Sequence, residues 1–255
     1  LVRDSFLLGP GETLSLDAGQ LAALNHASLG LSVSGLGVDP LPLVQSLADY
    51  PFRCTEQTTS RAIGLLLGGD RLMGRATLNF ALNEALVTLQ NRQGLDGIIG
   101  LWPGSASGDL FLQAYAADFL ALARAEGIDG AATLHEAFVA RLARGLEQAE
   151  DPYFETELSL RTEAYALAIL ARADRPDVAA QRLLFDEMIL HSGDDFAKAA
   201  LAVAAHAVGD FSDRDALLTS LLDLPGAVFE AGPTRLYDYG GVLRDQLAAL
   251  ALLVE

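Results

Sequence analysis

Apolar residues fall into two regimes along the chain. Beyond Leu41 they return every three or four positions, the period of helices with buried faces. The segments that keep this period are Leu43–Ala48, Thr58–Leu67, Arg75–Gln90, Leu110–Glu126, Ala132–Glu150, Glu157–Arg172, Val178–Leu190, Asp195–Val208, Arg214–Leu222 and Val242–Val254. The first should end near Tyr50, because Pro51 drives its predecessor out of the helical region. The second should close at Gly68-Gly69, the usual C-terminal cap. Before residue 40 the pattern differs. Glu12–Leu16 and Ala27–Ser34 are short alternating or β-branched runs bounded by Gly, Pro and Asp, as edge strands are. Gly35–Pro42 reads as a linker.

Tyr115–Arg124, Tyr165–Arg172 and Ala199–His206 resemble one another: each is dense in Ala and Leu and ends in a polar turn. Small residues let helices approach closely, and repeated helical hairpins that cannot bury their faces alone must stack into a solenoid or a ring. The expected fold is mainly α, an α/α toroid of antiparallel hairpins with a short β-rich appendage at the N-terminus. The last helix runs apolar to Val254-Glu255 without a cap, so the ring is expected to be cut short or completed by other residues. The expected division is 1–40 for the strand-rich segment and linker, and 41–255 for the helical domain.

Composition supports this and narrows the partners. Of 255 residues, 51% are hydrophobic and only 7% aromatic, which favours packed helices over a β-sandwich. Asp and Glu total 34 against 17 Lys and Arg, a net charge of −17 that repels phosphate backbones and anionic lipid, so nucleic acid is not an expected partner. No apolar run approaches the roughly 20 residues of a membrane-spanning helix, so direct membrane insertion is not expected of this segment. The chain opens on Leu1 without a basic, signal-like start and reads as the interior of something longer. One Cys cannot make an intramolecular disulfide, which leaves a structural, reactive or intermolecular thiol.

The informative segment is Tyr50-Pro51-Phe52-Arg53-Cys54-Thr55-Glu56-Gln57-Thr58-Thr59-Ser60-Arg61. In the first turn of a helix, side chains three residues apart share a face. The thiol of Cys54 could then attack the Gln57 amide and expel ammonia, leaving an acyl group open to amines or hydroxyls. Amides at the helix start would lower the thiol pKa and steady the developing oxyanion. Cys and Gln at this spacing recur by chance, and a lone Cys is most often a small buried hydrophobe. The flanking residues carry the distinction.

That run resembles the thioester signature of bacterial α2-macroglobulins, Tyr-Pro-x-x-Cys-x-Glu-Gln followed by Thr-Thr-Ser-Arg. It is less closely similar to the complement-like Gly-Cys-Gly-Glu-Gln site. Asn91–Trp102 with Ala114–Phe119 resembles the family's Gly–Trp turn and the helix after it, and Tyr239–Asp245 a later segment. The similarity runs from about Leu41 to the C-terminus. Arg53 departs from it, standing where the family commonly has Gly.

The resemblance implies an endopeptidase inhibitor of the bacterial cell envelope or periplasm, not a turnover enzyme. Cys54 and Gln57 would form an internal thioester, with Glu56 supporting, and no cofactor or metal. A protease would be captured covalently through its amines after cleaving a bait elsewhere. Residues 1–40 would belong to a neighbouring β-domain of the same longer chain. Tyr50 and Trp102, in the two matching motifs, are candidates to shield the acyl bond from water, with Phe52 and Tyr115 behind them. His26, His135, His191 and His206 match no family motif, so direct attack by Lys amines is the expected route.

Two other classes fit parts of the sequence. A terpenoid-cyclase enzyme shares the α/α ring, and Gln93–Trp102 partly resembles its Gln–Gly–Trp repeat, but its site needs clustered carboxylates; Asp194-Asp195 is the nearest cluster. A helical scaffold binding a partner without covalent chemistry is the other. Metal hydrolysis fails on sequence, since His135-Glu136 is followed by Val139 where a second His would be needed.

Overall fold

The computed structural model describes residues 9–15, 41–95, 97–105, 108–148, 156–191, 194–222 and 242–254. The helices are α1 (Leu41–Ala48), α2 (Thr55–Gly68), α3 (Arg75–Gln90), α4 (Leu110–Ala125) and α5 (Ala131–Gln148). They continue as α6 (Thr156–Arg172), α7 (Val178–His191), α8 (Asp195–Ala207), α9 (Phe211–Leu222) and α10 (Val242–Val254). A single 3-10 turn, Gly69–Arg71, follows α2. The architecture is mainly helical, with no strand among the described residues. Residues 9–15 turn at Pro10-Gly11 and then run without regular structure, so no strand forms over 12–15; Ala27–Ser34 lies outside the described residues.

Helix α2 begins at Thr55, three residues before the expected start. The reason is that Cys54 acts as its N-cap in extended geometry. Asp109 and Asp194 do the same for α4 and α8, accepting from Leu112 N at 3.1 Å and Ala197 N at 3.0 Å. At the other ends of those two helices Gly127 and Gly209 take φ of 71° and 79°, a left-handed turn that favours glycine.

Packing alternates. Helix α2 lies against α1, α3 and α4; α4 against α5 and α6; α6 against α5, α7 and α8; α8 against α7, α9 and α10. The inner row is therefore α2, α4, α6, α8 and α10, with α3, α5, α7 and α9 outside, the arrangement of an α/α toroid. Among the described residues α10 does not pack extensively back on α2, so the inner row forms an arc.

Position in the ring explains composition. The three central inner helices, α4, α6 and α8, have neighbours on several sides and are buried nearly all round: Ala114, Ala117, Ala164, Ala168, Ala197 and Ala200 have no exposed surface. Phe119, Leu120, Phe138, Leu142 and Leu201 fill the space between layers, each contributing about 1.5–3 kcal/mol by leaving water.

Each inner helix is separated from the next by one returning outer helix, so the inner row runs parallel and its N-termini share one rim. Hydrogen bonds confirm the grouping. Arg161 in α6 binds Asp194 at the start of α8 and Asp245 in the first turn of α10, at 2.6–2.9 Å. The start of α2, with Cys54, occupies the same rim.

Candidate functional site

The chain reaches this rim through Pro51-Phe52-Arg53. Cys54 Sγ accepts the Gln57 backbone N–H at 3.5 Å, and Cys54 N–H donates to Gln57 Oε1 at 3.2 Å. This is a reciprocal capping box in which cysteine replaces the usual serine or threonine. Two otherwise orphaned amides are satisfied, and the sulfur and the Gln57 side chain are drawn into one helical turn.

The next residue anchors the turn. Thr55 is fully buried; its N–H donates to the Leu101 carbonyl at 3.0 Å and its hydroxyl to Gly100 at 2.5 Å. Arg92, from the turn after α3 and only 7% exposed, donates to the Thr55 hydroxyl at 3.3 Å and to the Arg53 carbonyl. One guanidinium thus holds the residues on both sides of Cys54, Arg53 by its carbonyl and Thr55 by its hydroxyl. The 92–100 loop is closed by Gly94 N to Ile98 O at 2.8 Å and Gly100 N to Arg92 O at 2.9 Å. Fully buried Gln113 of α4 ties it to the next hairpin, accepting from Ile99 N and donating to the Phe138 carbonyl, both at 2.9 Å.

Glu56 heads a second line of contacts. Its carboxylate accepts from the Ser60 hydroxyl at 2.8 Å, and Ser60 Oγ lies 2.9 Å from the Tyr115 hydroxyl. With the Ser60 proton committed to Glu56, the Tyr115 O–H donates to Ser60. Four of the signature residues, Cys54, Glu56, Gln57 and Ser60, therefore act within the first two turns of α2.

Cys54 is 6% exposed, and burial pushes its thiol pKa up. The Gln57 amide pulls the other way, the nearby Glu56 carboxylate adds to the rise, and Arg92 opposes it more weakly. The helix amides lower it, as expected, but desolvation of the thiolate outweighs them. A Gln57→Ala variant, whose thiol cannot be acylated by residue 57, tests this. Iodoacetamide labelling of Cys54 should be slow near neutrality and climb about tenfold per pH unit through the alkaline range. A rate already level at pH 8 would contradict it.

The aromatic candidates do not bury the turn by themselves. Tyr50 and Phe52 meet edge to face at 5.7 Å between centroids, but are 44% and 62% exposed; Trp102 is 51% exposed. Tyr115 is half-buried. A narrow cleft of about 40 Å³ opens beside Gln57, between α2 and α3. It has room for only a few waters and is far below the roughly 300 Å³ of an ordinary ligand pocket.

The remaining candidates lie elsewhere in function or in space. His135 is buried in α5, its pKa lowered chiefly by desolvation. His206 sits in the last turn of α8, at the opposite rim, 3.1 Å from Arg214. His26 and the side chain of His191 lie outside the described residues. Asp194 both caps α8 and pairs with Arg161, which commits this member of the Asp194-Asp195 pair to structure.

Fold and site define a helical ring with a Cys–Gln capping box on the rim where its inner helices begin. The chain is homologous to bacterial α2-macroglobulins. It is 27% identical to α2-macroglobulin of Xylella fastidiosa (strain Temecula1) over 237 residues, 88% of this chain and 14% of that protein. It is 25% identical to that of Escherichia coli K12 over 269 aligned positions, 97% of this chain and 16% of that protein. The chain therefore spans about a seventh of these relatives. No family model matches it. The structure of native E. coli α2-macroglobulin from domain MG7 to the C-terminus superposes with a TM-score of 0.70 at 24% identity, covering 84% of this chain and 35% of that one. Similar folds occur in the Salmonella protein reacted with methylamine, and in the E. coli protein activated by trypsin or porcine elastase.

Proposed function

We propose that residues 41–255 form the thioester-containing domain of a bacterial α2-macroglobulin-like protease inhibitor. Cys54 Sγ attacks the Gln57 side-chain carbonyl carbon, the C–N bond breaks, ammonia leaves, and an internal thioester remains. After an attacking protease cuts a bait elsewhere in the molecule, a Lys amine of that protease attacks the acyl carbon. A C–N bond forms, the C–S bond breaks, and Cys54 leaves as a thiolate that takes up the released proton. The protease stays joined through Gln57, so the reaction happens once and needs no cofactor.

The observation that carries this reading is the reciprocal Cys54–Gln57 capping box, which holds donor and acceptor of the acyl transfer within one turn. The relatives support it. One solved relative was reacted with methylamine, a small amine, and others were activated by trypsin and elastase. Glu56 supports the turn through Ser60. Tyr50 and Trp102, half exposed on this rim, would shield the acyl bond together with a neighbouring domain to which residues 1–40 lead. Buried His135 and distant His206 favour direct attack by amines. The site of action is the periplasm or cell envelope.

The test is covalent capture. Incubating the freshly purified full natural protein with trypsin should yield an adduct that survives denaturation and reduction. Its cross-linked peptide should join Gln57 to a trypsin lysine. Trypsin that is recovered entirely free after denaturation would refute capture.

A further inference from the structure

The cleft beside Gln57 is charged in a way the acyl-transfer chemistry does not require. Among its lining residues are Phe52, Arg53, Arg61 and Glu84, which set two guanidiniums against one carboxylate. In a chain of net charge −17 the cleft lining thus carries one excess positive charge, with Asp49 acting on Arg61 from outside it. Arg53 precedes Cys54 directly, while Arg61 follows Gln57 by four residues and so shares its helix face. Arg61 Nε is buried and has no hydrogen-bond partner. Burial weakens its hold on the proton, Arg53 adds repulsion, and Glu84 and Asp49 offset these in part. The cleft that Arg61 lines with Gln57 brings this half-buried cation within reach of an anion that approaches the acyl carbon.

We propose that Arg53 and Arg61 make the acyl group selective for amines that carry a negative charge close by, such as a lysine flanked by Asp or Glu on the captured protein. The inference rests on the thioester reading and adds a substrate preference to it. The attacking amine is neutral, so the two arginines alter the approach of a simple amine little. A carboxylate or sulfonate two or three bonds from the nitrogen is drawn toward the guanidiniums as the nitrogen reaches the acyl carbon. A second positive charge at the same place is repelled.

Three small amines separate the possibilities in the freshly purified full natural protein at low ionic strength. Methylamine is the neutral reference. Taurine and (2-aminoethyl)trimethylammonium place opposite permanent charges at the same distance from a primary amine. All are supplied at equal free-base concentration, and each rate is divided by that amine's rate with a simple alkyl thioester in the same buffer, which removes the difference in intrinsic nucleophilicity. Rates are read from the mass of the peptide containing Gln57 and from release of the Cys54 thiol. Taurine should react about tenfold faster than the trimethylammonium amine. The ratio should fall toward one in high salt, and in R53G. Arg53 is exposed, so R53G tests the charge without threatening the fold; R61Q should act in the same direction. Methylamine uptake with a ratio near one, or a ratio unchanged in R53G, overturns the selectivity and leaves the thioester standing. No uptake of methylamine overturns both.

Discussion

Replacing Cys54 with Ala is expected to abolish methylamine incorporation at position 57 of the full natural protein. A primary amide is inert to amines under mild conditions, and only acyl transfer to sulfur makes the Gln57 carbonyl reactive. Gln57→Ala should remove uptake as completely while leaving a thiol that can be alkylated. The two variants thus separate the halves of the bond. Both should melt close to the parent, because exchanging an N-cap side chain costs about 0.5–2 kcal/mol, a small part of a domain's stability. Peptide mass mapping after methylamine treatment reads the result. Incorporation at position 57 that persists in Cys54→Ala would mean that sulfur takes no part.

The second large effect concerns the same rim but not its chemistry. Arg161 is nearly inaccessible, with side-chain exposure of 4%, and binds Asp194 and Asp245, themselves 16% and 9% exposed. Its guanidinium also lies 5.1 Å from the Phe196 ring centroid, against the Phe111–Tyr165–Phe196 cluster. Removing the cation alone leaves two carboxylates without their partner in a poorly hydrated place. Arg161→Ala should therefore cost about 3–5 kcal/mol, which at roughly 2–4 °C per kcal/mol is a large drop in melting temperature. Pairing the change with Asp194→Asn and Asp245→Leu should recover part of it. A variant that melts within 2 °C of the parent would show that the triad contributes little.

Much of the fold was legible because helical periodicity is a local signal. Arg75–Gln90 and Val242–Val254 have the same limits in sequence and structure, and the Ala-rich near-copies on α4, α6 and α8 are the inner row of the ring. The start of α2 was misplaced by three residues because Cys54 is not an expected cap; its sulfur fills that role only through the reciprocal bond with Gln57. The reactive pair stood out as a motif, yet the groups that fix its geometry did not. Arg92 follows an apolar helix, where a basic residue reads as a solvated partner of the helix dipole; only the fold of the 92–100 loop turns it inward. Gln113 is a single polar residue in an apolar stretch of α4; it is fully buried and joins two hairpins. Such long-range contacts leave no periodic trace. Burial also decided the thiol's acidity, which spacing along the chain could not report.

The most direct test of the acyl–sulfur bond is the intact mass of the freshly purified full natural protein, taken alongside thiol labelling after denaturation. A closed bond predicts a mass lower than the sequence requires by one ammonia, with Cys54 unreactive until an amine is added. A mass that matches the sequence, with Cys54 fully alkylated at once, would contradict it.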